Sequence, residues 1–178
     1  MITLTSSSKP QFSAEDQEIF KDIIKDHYQY PRHHVLTEDP DYYTVHLKNP
    51  SCGDDLTVQV LFEGDRIKDI RQKGEGCSIC CSSASMMSEI CLNHTVHEAA
   101  QKVQDFRQMV SGEAYDPENL GEALALNGVV KVPPRIKCAT LAWLALDQAM
   151  KQEAKQLNLS TEDGERVQAS DAKEEKHE

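Results

Sequence analysis

The sequence LTVQVLFEGDRIKDIRQ, residues 56–72, decides the fold because its first half alternates apolar and polar side chains, with only Leu61 off the pattern. A period of two puts alternate side chains on one face of a β-strand, so one face of this strand is predicted to be buried. Glu63-Gly64-Asp65 predicts a hairpin turn, after which residues 66–72 pair back antiparallel. Residues 42–48 are also predicted to be extended, which gives three strands.

The rest of the chain is predicted to be helical. Ser13 suits a helix N-cap, the apolar stripe that follows has helical spacing, and Pro31 ends it. A run rich in small residues follows Gly76, and Thr95-Val96-His97-Glu98 predicts a capping box. These two segments predict helices at residues 77–91 and after Thr95. Two more helices are predicted, a short one from Asp116 that Gly128 ends and one from about Ile136 to the 150s.

These elements predict an α+β fold, with a small antiparallel three-stranded sheet packed against a helical layer. Residues 1–12 are predicted to be a flexible leader and residues 13–159 one folded domain. Residues 160–178 contain almost no apolar side chains and are predicted to be a disordered acidic tail.

Composition and charge argue against several classes of function. The 178-residue chain has a net charge of -11, which argues against binding to nucleic acid or to anionic lipid. It has no apolar run of the ~20 residues that a membrane span needs, and its start does not resemble a signal peptide. A cytoplasmic location is therefore expected, where six cysteines are thiols or metal ligands rather than disulfides.

Three cysteines far apart in the sequence each lie in a segment suited to a metal site. Cys52 and Asp54 share a predicted turn, Cys77 follows a glycine-rich approach to a helix, and Cys138 follows a proline-led helix start. A helix N-terminus favours the thiolate form of cysteine, so the last two are predicted to have lowered pKa values. Three thiolates and one carboxylate suit four-coordinate zinc. The predicted ligands are Cys52, Asp54, Cys77 and Cys138.

The other cysteines are predicted to be core residues. Cys77 and Cys80 form a Cys-x-x-Cys pair at a helix start, the layout of redox dithiols, but no thioredoxin-like strand–helix–strand pattern surrounds them. Cys80, Cys81 and Cys91 lie among apolar and small residues, which favours burial. A role for Cys80 or Cys81 as a spare sulfur acceptor stays open.

The motifs resemble those of the U-type iron–sulfur cluster assembly proteins, the family of IscU and the NifU N-terminal domain. The resemblance covers about residues 14–157. The segments that carry it are FKDIIKDHY (20–28) with Pro31-Arg32, NPSCGD (49–54), GEGCSI (74–79) with SASMM (83–87), and RIKCATLAW (135–143). Members similar to IscU have histidine before the last cysteine, where this chain has Lys137. That difference, together with an extra segment at residues 112–133, makes the chain similar to SufU-like members.

The resemblance implies a zinc-dependent sulfur acceptor that takes persulfide sulfur from a SufS-type, pyridoxal-phosphate cysteine desulfurase. It implies Cys52 as the acceptor, and downstream Suf scaffold proteins as further partners. One alternative is a scaffold that assembles a nascent iron–sulfur cluster on the same cysteines. Another is a structural zinc protein that serves as an interaction module, although Asp54 would be an unusual ligand for a closed structural site.

Overall fold

Three antiparallel strands form the sheet of the computed structural model, which describes the backbone of residues 9–174 and the side chains of residues 9–158. The strands are β1 (Tyr43–Asn49), β2 (Asp54–Glu63) and β3 (Arg66–Glu75), paired in the order β1-β2-β3. The predicted α+β class and the three-stranded sheet are confirmed. Residues 1–8 of the predicted leader and residues 175–178 of the predicted tail lie outside the described part of the chain.

Strand β2 buries the face that its alternation predicts. Leu56, Val58 and Val60 are at most 2% exposed, and they join the main core. The pairing of β2 with β3 shifts register between Leu61 and Phe62, which is where the apolar alternation also breaks. An interruption in the sequence pattern therefore coincides with an irregularity of the strand pairing.

The helices pack together on the sheet. Helix α2 contacts α1, α4 and β3, and α4 also contacts β1 and β2. Two 3₁₀ helices lie between α3 and α4, inside residues 112–133. The helical elements are α1 (Ala14–Gln29), α2 (Ser78–Cys91), α3 (Val96–Val110), the 3₁₀ helices Pro117–Asn119 and Gly121–Lys131, and α4 (Pro133–Glu174).

The helix starts follow the capping residues of the sequence. Ser13 accepts a hydrogen bond from the Asp16 backbone N–H, and the Asp16 carboxylate accepts one from the Ser13 N–H, which completes a capping box. Thr95 accepts from the Glu98 N–H at 3.1 Å, but the Glu98 carboxylate accepts from the Thr95 hydroxyl rather than from its backbone N–H, so the predicted capping box is only half formed. Cys77 is the N-cap of α2 but forms no side-chain capping bond.

Gly128 does not end its helix, contrary to the prediction. The 3₁₀ helix continues to Lys131, because Ala125, Leu126 and Val129 continue the buried side across the glycine. Helix α4 begins at Pro133, three residues before the predicted start near Ile136. Proline is tolerated in a first helical turn, since the N–H that it lacks would have no partner within the helix.

Helix α4 is longer than predicted, at 42 residues. Residues 151–157, KQEAKQL, are good helix formers, and the helical backbone continues beyond the predicted end in the 150s to Glu174. The predicted disorder of residues 160–178 stays a prediction, because their side chains are not described. None of the described helices is long and apolar enough to span a membrane.

A buried aromatic stack lies at the centre of the helical layer. Trp143 of α4 stacks on Phe106 of α3, with ring centroids 4.2 Å apart and planes inclined by 9°. The Trp143 indole N–H donates to Ser83 Oγ at 2.9 Å, and Ser83 Oγ donates to the Ala139 carbonyl at 2.6 Å. These bonds fix α4 against α2, which fixes the relative positions of Cys138 and Cys77.

Candidate metal centre

The predicted ligands meet where one end of the sheet contacts the starts of two helices. The register of β1 and β2 pairs Asn49 with Asp54, so residues 50–53 form a tight connection that contains Cys52. Gly53 has a φ of +70°, a left-handed conformation that glycine adopts without strain. Cys52 therefore lies in the predicted turn, whereas Asp54 is the first residue of β2.

The structure brings three of the four predicted ligands into one group. Cys52 Sγ, one carboxylate oxygen of Asp54 and Cys138 Sγ all lie within 4.8 Å of one another. Cys77 does not meet this 4.8 Å criterion, but it lies next to the group. Its backbone N–H donates to Asp54 Oδ1 at 3.0 Å, and its thiol is among the groups that raise the pKa of Cys138.

Burial differs among the four residues. Cys138 is fully buried and Asp54 is 2% exposed, whereas Cys52 and Cys77 are half-buried. The Cys52 thiol makes one weak contact with protein oxygen, to the Pro134 carbonyl at 3.9 Å. Cys52 is therefore the ligand candidate on a loop with access to solvent, while Cys138 is fixed in a helix.

Asn49 is a site residue that the sequence analysis did not identify. It is 5% exposed, and its Nδ2 donates to Asp54 Oδ2 at 3.2 Å and to Cys138 Sγ at 3.6 Å. It thus links the strand end to α4. Its position just before the Cys52 turn was visible in the sequence, but the contact with Cys138 depends on tertiary packing.

Glycines next to the site make room for the chain's own atoms. A Cβ on Gly76 would lie 2.4 Å from Asp54 Oδ1, and one on Gly74 would lie 2.1 Å from the Asp55 carbonyl oxygen. Both distances are below 3.0 Å, a separation that real Cβ atoms essentially never show. The absence of a side chain at Gly76 therefore lets the Asp54 carboxylate approach the start of α2.

The Cys138 thiol does not have the lowered pKa that the sequence analysis predicts. Burial raises the pKa of Cys138, and hydrogen bonds with Asp54, Cys52 and Cys77 raise it further. The reason is position: α4 begins at Pro133, so Cys138 is its sixth residue and lies beyond the first turn, where the helix dipole acts.

A cation lies beside the thiols. Hydrogen bonding to Cys138, and charge interaction and hydrogen bonding with Cys77, raise the pKa of Arg135. Arg135 therefore offsets negative charge at the thiols. Lys137, at the position before Cys138, is exposed.

The remaining cysteines are only partly as predicted. Cys80 and Cys91 are buried in the core, and burial raises the pKa of Cys91 to about 12. Cys81 is half-buried rather than a core residue, and its thiol contacts the Gly76 carbonyl at 3.7 Å. Burial also raises the pKa of Cys80, with smaller contributions from Asp54 and the neighbouring thiols.

A second group of possible ligands has a structural explanation. His27, Glu89 and Glu122 converge, but His27 is fully buried and both of its ring nitrogens are engaged. Nδ1 contacts Ser85 Oγ at 2.7 Å, and Nε2 contacts the Glu122 carboxylate. His27 thus joins α1, α2 and the long 3₁₀ helix, as expected for a satisfied core histidine.

The donor set suits zinc. Ligands about 2.3 Å from a tetrahedral ion lie roughly 3.8 Å apart, and the three grouped atoms are within 4.8 Å of one another before any ion draws them in. Thiolates select soft or borderline metals, which argues against magnesium or calcium. Asn49 and the Cys77 N–H supply the hydrogen bonds that orient ligands at metal sites.

Comparison with known proteins agrees with the fold and the motifs. The NifU-like N-terminal domain family matches residues 19–157. The zinc-dependent sulfurtransferase SufU of Bacillus subtilis is 38% identical over 143 residues, covering 80% of this chain and 96% of SufU. The iron–sulfur cluster assembly scaffold protein IscU of Streptococcus pyogenes is also 38% identical over 143 residues, covering 80% of this chain and 89% of that protein.

A solved structure extends this likeness to three dimensions. A crystal structure described as a SUF-system iron–sulfur cluster assembly scaffold protein from Fervidobacterium islandicum superposes with a TM-score of 0.70 at 31% identity. The match covers 75% of this chain and 98% of that one. The fold and the cysteine motifs thus define a U-type iron–sulfur cluster assembly protein. The chain belongs to the NifU-like N-terminal domain family, which confirms the resemblance to its SufU-like members.

Proposed function

We propose that this protein is a zinc-dependent sulfur acceptor, which takes persulfide sulfur from a SufS-type cysteine desulfurase on Cys52. One observation carries the proposal: Cys52 is the accessible member of a group whose other members, Asp54 and Cys138, are buried. The group combines a reactive sulfur on a loop with ligands on rigid elements. The B. subtilis relative, named a zinc-dependent sulfurtransferase, supports the same function.

The four residues Cys52, Asp54, Cys77 and Cys138 would hold the zinc ion. When bound, zinc keeps a coordinated thiol deprotonated at neutral pH. Arg135 offsets the charge of the ionised thiols, and Asn49 orients Asp54 and Cys138. The fully buried Cys138 is too enclosed to meet a partner's persulfide, so it is assigned to anchoring.

The transfer step uses the Cys52 sulfur. Its thiolate attacks the outer sulfur of the desulfurase persulfide, a new S–S bond forms, and the old one breaks. The desulfurase cysteine leaves as a thiolate, and Cys52 now carries the persulfide. Gly53, with φ at +70°, gives the loop a conformation unlike that of the flanking strands, and exposed residues surround Cys52 there. A loop residue moves toward a partner at lower cost than a residue in a packed helix.

A scaffold for a nascent iron–sulfur cluster is the second candidate. The same thiols could hold iron, and the S. pyogenes scaffold protein is as similar to this chain as the B. subtilis sulfurtransferase. Elemental analysis of protein purified without added metal separates the two. About one zinc per chain without visible colour supports sulfur transfer, whereas brown, iron-containing protein supports the scaffold.

The acceptor is tested by incubating the protein with a SufS-type desulfurase and cysteine in air-free buffer, followed by non-reducing peptide mass spectrometry. We expect one added sulfur on Cys52. Cys52→Ser should stay folded and fail to stimulate the desulfurase. Cys77→Ser and Cys138→Ser should lose zinc and stability to a greater extent, and Asp54→Ala should weaken zinc binding but keep the acceptor.

Two results together would overturn the assignment to Cys52. One is a persulfide on Cys80 or Cys81 with Cys52 unmodified. The other is full stimulation of the desulfurase by Cys52→Ser.

A further inference from the structure

The Cys-x-x-Cys pair at the start of α2 has no role in the proposed transfer step. Cys77 is the N-cap of α2, and Cys80 is the third residue of the helix. Cys77 is half-buried and can be reached from solvent, while Cys80 is only 1% exposed. One thiol is therefore accessible and the other protected, as in a pair that reacts through its outer member.

The two α-helices with side-chain capping bonds, α1 and α3, show that side chains at these two positions meet. In α1 the N-cap Ser13 Oγ lies 2.8 Å from the Asp16 carboxylate, and in α3 the N-cap Thr95 Oγ1 lies 3.0 Å from the Glu98 carboxylate. Asp16 and Glu98 are each the third helical residue. Cys77 has the same backbone conformation as the other two caps, with φ -68° and ψ 165°. Cys77 and Cys80 therefore occupy positions whose side chains touch elsewhere in this protein.

The backbone spacing also suits a disulfide. Residues three apart at a helix start have Cα atoms about 5–6 Å apart, which falls inside the ~4.4–6.8 Å range of natural disulfides. Burial, and charge interactions with Asp54 and the neighbouring thiols, raise the pKa of the Cys80 thiol, so Cys80 lies near the metal group. An S–S bond between Cys77 and Cys80 is therefore compatible with the backbone of α2.

The neighbouring cysteines are less suitable partners. Cys81 is one position further along α2, and its thiol contacts the Gly76 carbonyl at 3.7 Å. Cys91 is the last residue of α2, at the opposite end of the helix from Cys77. Cys80 is thus the partner that the helix geometry selects.

We propose that Cys77 and Cys80 are a reversible oxidation site, at which a low-molecular-weight disulfide produces an intramolecular Cys77–Cys80 disulfide. The two thiols lose two electrons and two protons and form one S–S bond. The oxidant takes up the two electrons and two protons, and its own S–S bond is cleaved to give two thiols, so the exchange balances.

The consequence for the metal rests on the proposed function, in which Cys77 is a zinc ligand. A sulfur in a disulfide is no longer a thiolate, so oxidation removes one of the four donors. Asp54, Cys52 and Cys138 remain, and zinc affinity falls. The site would thus stop accepting sulfur under oxidising conditions and recover on reduction.

The test exposes the purified protein to excess oxidised glutathione, then blocks free thiols by alkylation and digests with trypsin. Residues 74–102 form one tryptic peptide with four cysteines. We expect this peptide to lose two of its four alkylation sites, and to recover both after reduction. A chromogenic chelator, read in parallel, should report zinc release in step with disulfide formation.

Matched variants identify the pair. Cys81→Ser should still form the disulfide, whereas Cys80→Ser and Cys80→Ala should not. Cys80→Ala is included because the serine hydroxyl at this buried position could destabilise the fold. Circular dichroism verifies the fold of each variant. A disulfide that persists in both Cys80 variants, or disappears in Cys81→Ser, would overturn the assignment, as would four free thiols in the oxidised wild-type protein.

The oxidation site and the sulfur-acceptor function can fail independently in these experiments. If the protein contains no zinc, the sulfur-acceptor proposal fails, but alkylation of the metal-free chain still reports whether Cys77 and Cys80 pair. If zinc is present and no disulfide forms, the oxidation site fails and the sulfur-acceptor proposal stands.

Discussion

Replacing Gly76 with alanine tests how the Asp54 carboxylate is held beside the thiols. An alanine Cβ would lie 2.4 Å from Asp54 Oδ1 and 3.3 Å from its Cα. Gly76 is not among the residues with positive φ, so alanine is compatible with the backbone there. The substitution therefore acts through steric contact with Asp54 rather than through strain of the main chain.

The expected size of the effect follows from the contacts that move. The carboxylate must shift by at least about 0.6 Å to restore the 3.0 Å below which Cβ contacts are essentially never seen. That shift lengthens the hydrogen bond from the Cys77 N–H, now 3.0 Å, toward the limit of a useful bond. Losing a group that orients a metal ligand costs roughly 10–100-fold in affinity, or about 1.4–2.8 kcal/mol.

Zinc affinity measured by competition with a chelator is the assay, with a thermal melt of the metal-free protein to verify folding. Gly128→Ala is the matched control, since no atom lies within 4 Å of its added Cβ and its φ is not positive. We expect a 10–100-fold weaker affinity for Gly76→Ala and no change for Gly128→Ala. Equal affinities in a folded Gly76→Ala would refute the view that Asp54 is positioned by contact with the start of α2.

Three further predictions concern stability. Chelation of the metal should lower the melting temperature markedly, because the candidate ligands join the sheet to two helices and binding energy becomes folding energy; an unchanged melting curve after verified zinc removal would contradict this. Truncation after Leu159 should leave zinc content and melting temperature unchanged, since residues 160–178 have too little apolar surface to offset the entropy of ordering; a large loss of either would show that they dock on the domain. Trp143→Phe should cost about 1–3 kcal/mol in urea unfolding, because Ser83 Oγ loses its buried donor, and an unchanged midpoint would argue that this bond contributes nothing net.

Local signals in the sequence were sufficient for most of the fold. The caps at Ser13 and Thr95 and the alternation in β2 each depend on neighbours within a few residues, and all three are confirmed. The prediction that Gly128 ends its helix was wrong, because glycine stops a helix only where the backbone needs a left-handed residue, and Gly128 has no positive φ. Packing of the flanking apolar residues determined the end of that helix instead.

The candidate site was predictable as a set of residues but not as a geometry. Cysteine and glycine motifs identify Cys52, Asp54, Cys77 and Cys138, and the structure groups three of them directly. The role of Asn49 depends on a contact with a residue 89 positions away, which no local pattern encodes. The raised pKa of Cys138 likewise follows from burial, and burial results from the packing of α4 against the sheet and α2.

The spacing of the ligands along the chain also determines when the site can exist during synthesis. Cys52, Asp54 and Cys77 are translated first, and Cys138 follows 61 residues after Cys77. At ~5–20 residues per second, the ribosome needs about 3–12 s to add that stretch. During this interval the nascent chain carries three donors without the helix that supplies the fourth. In the proposed site the full set of four donors therefore exists only once α4 has been translated, and four-coordinate zinc would report that the whole domain has been made and folded.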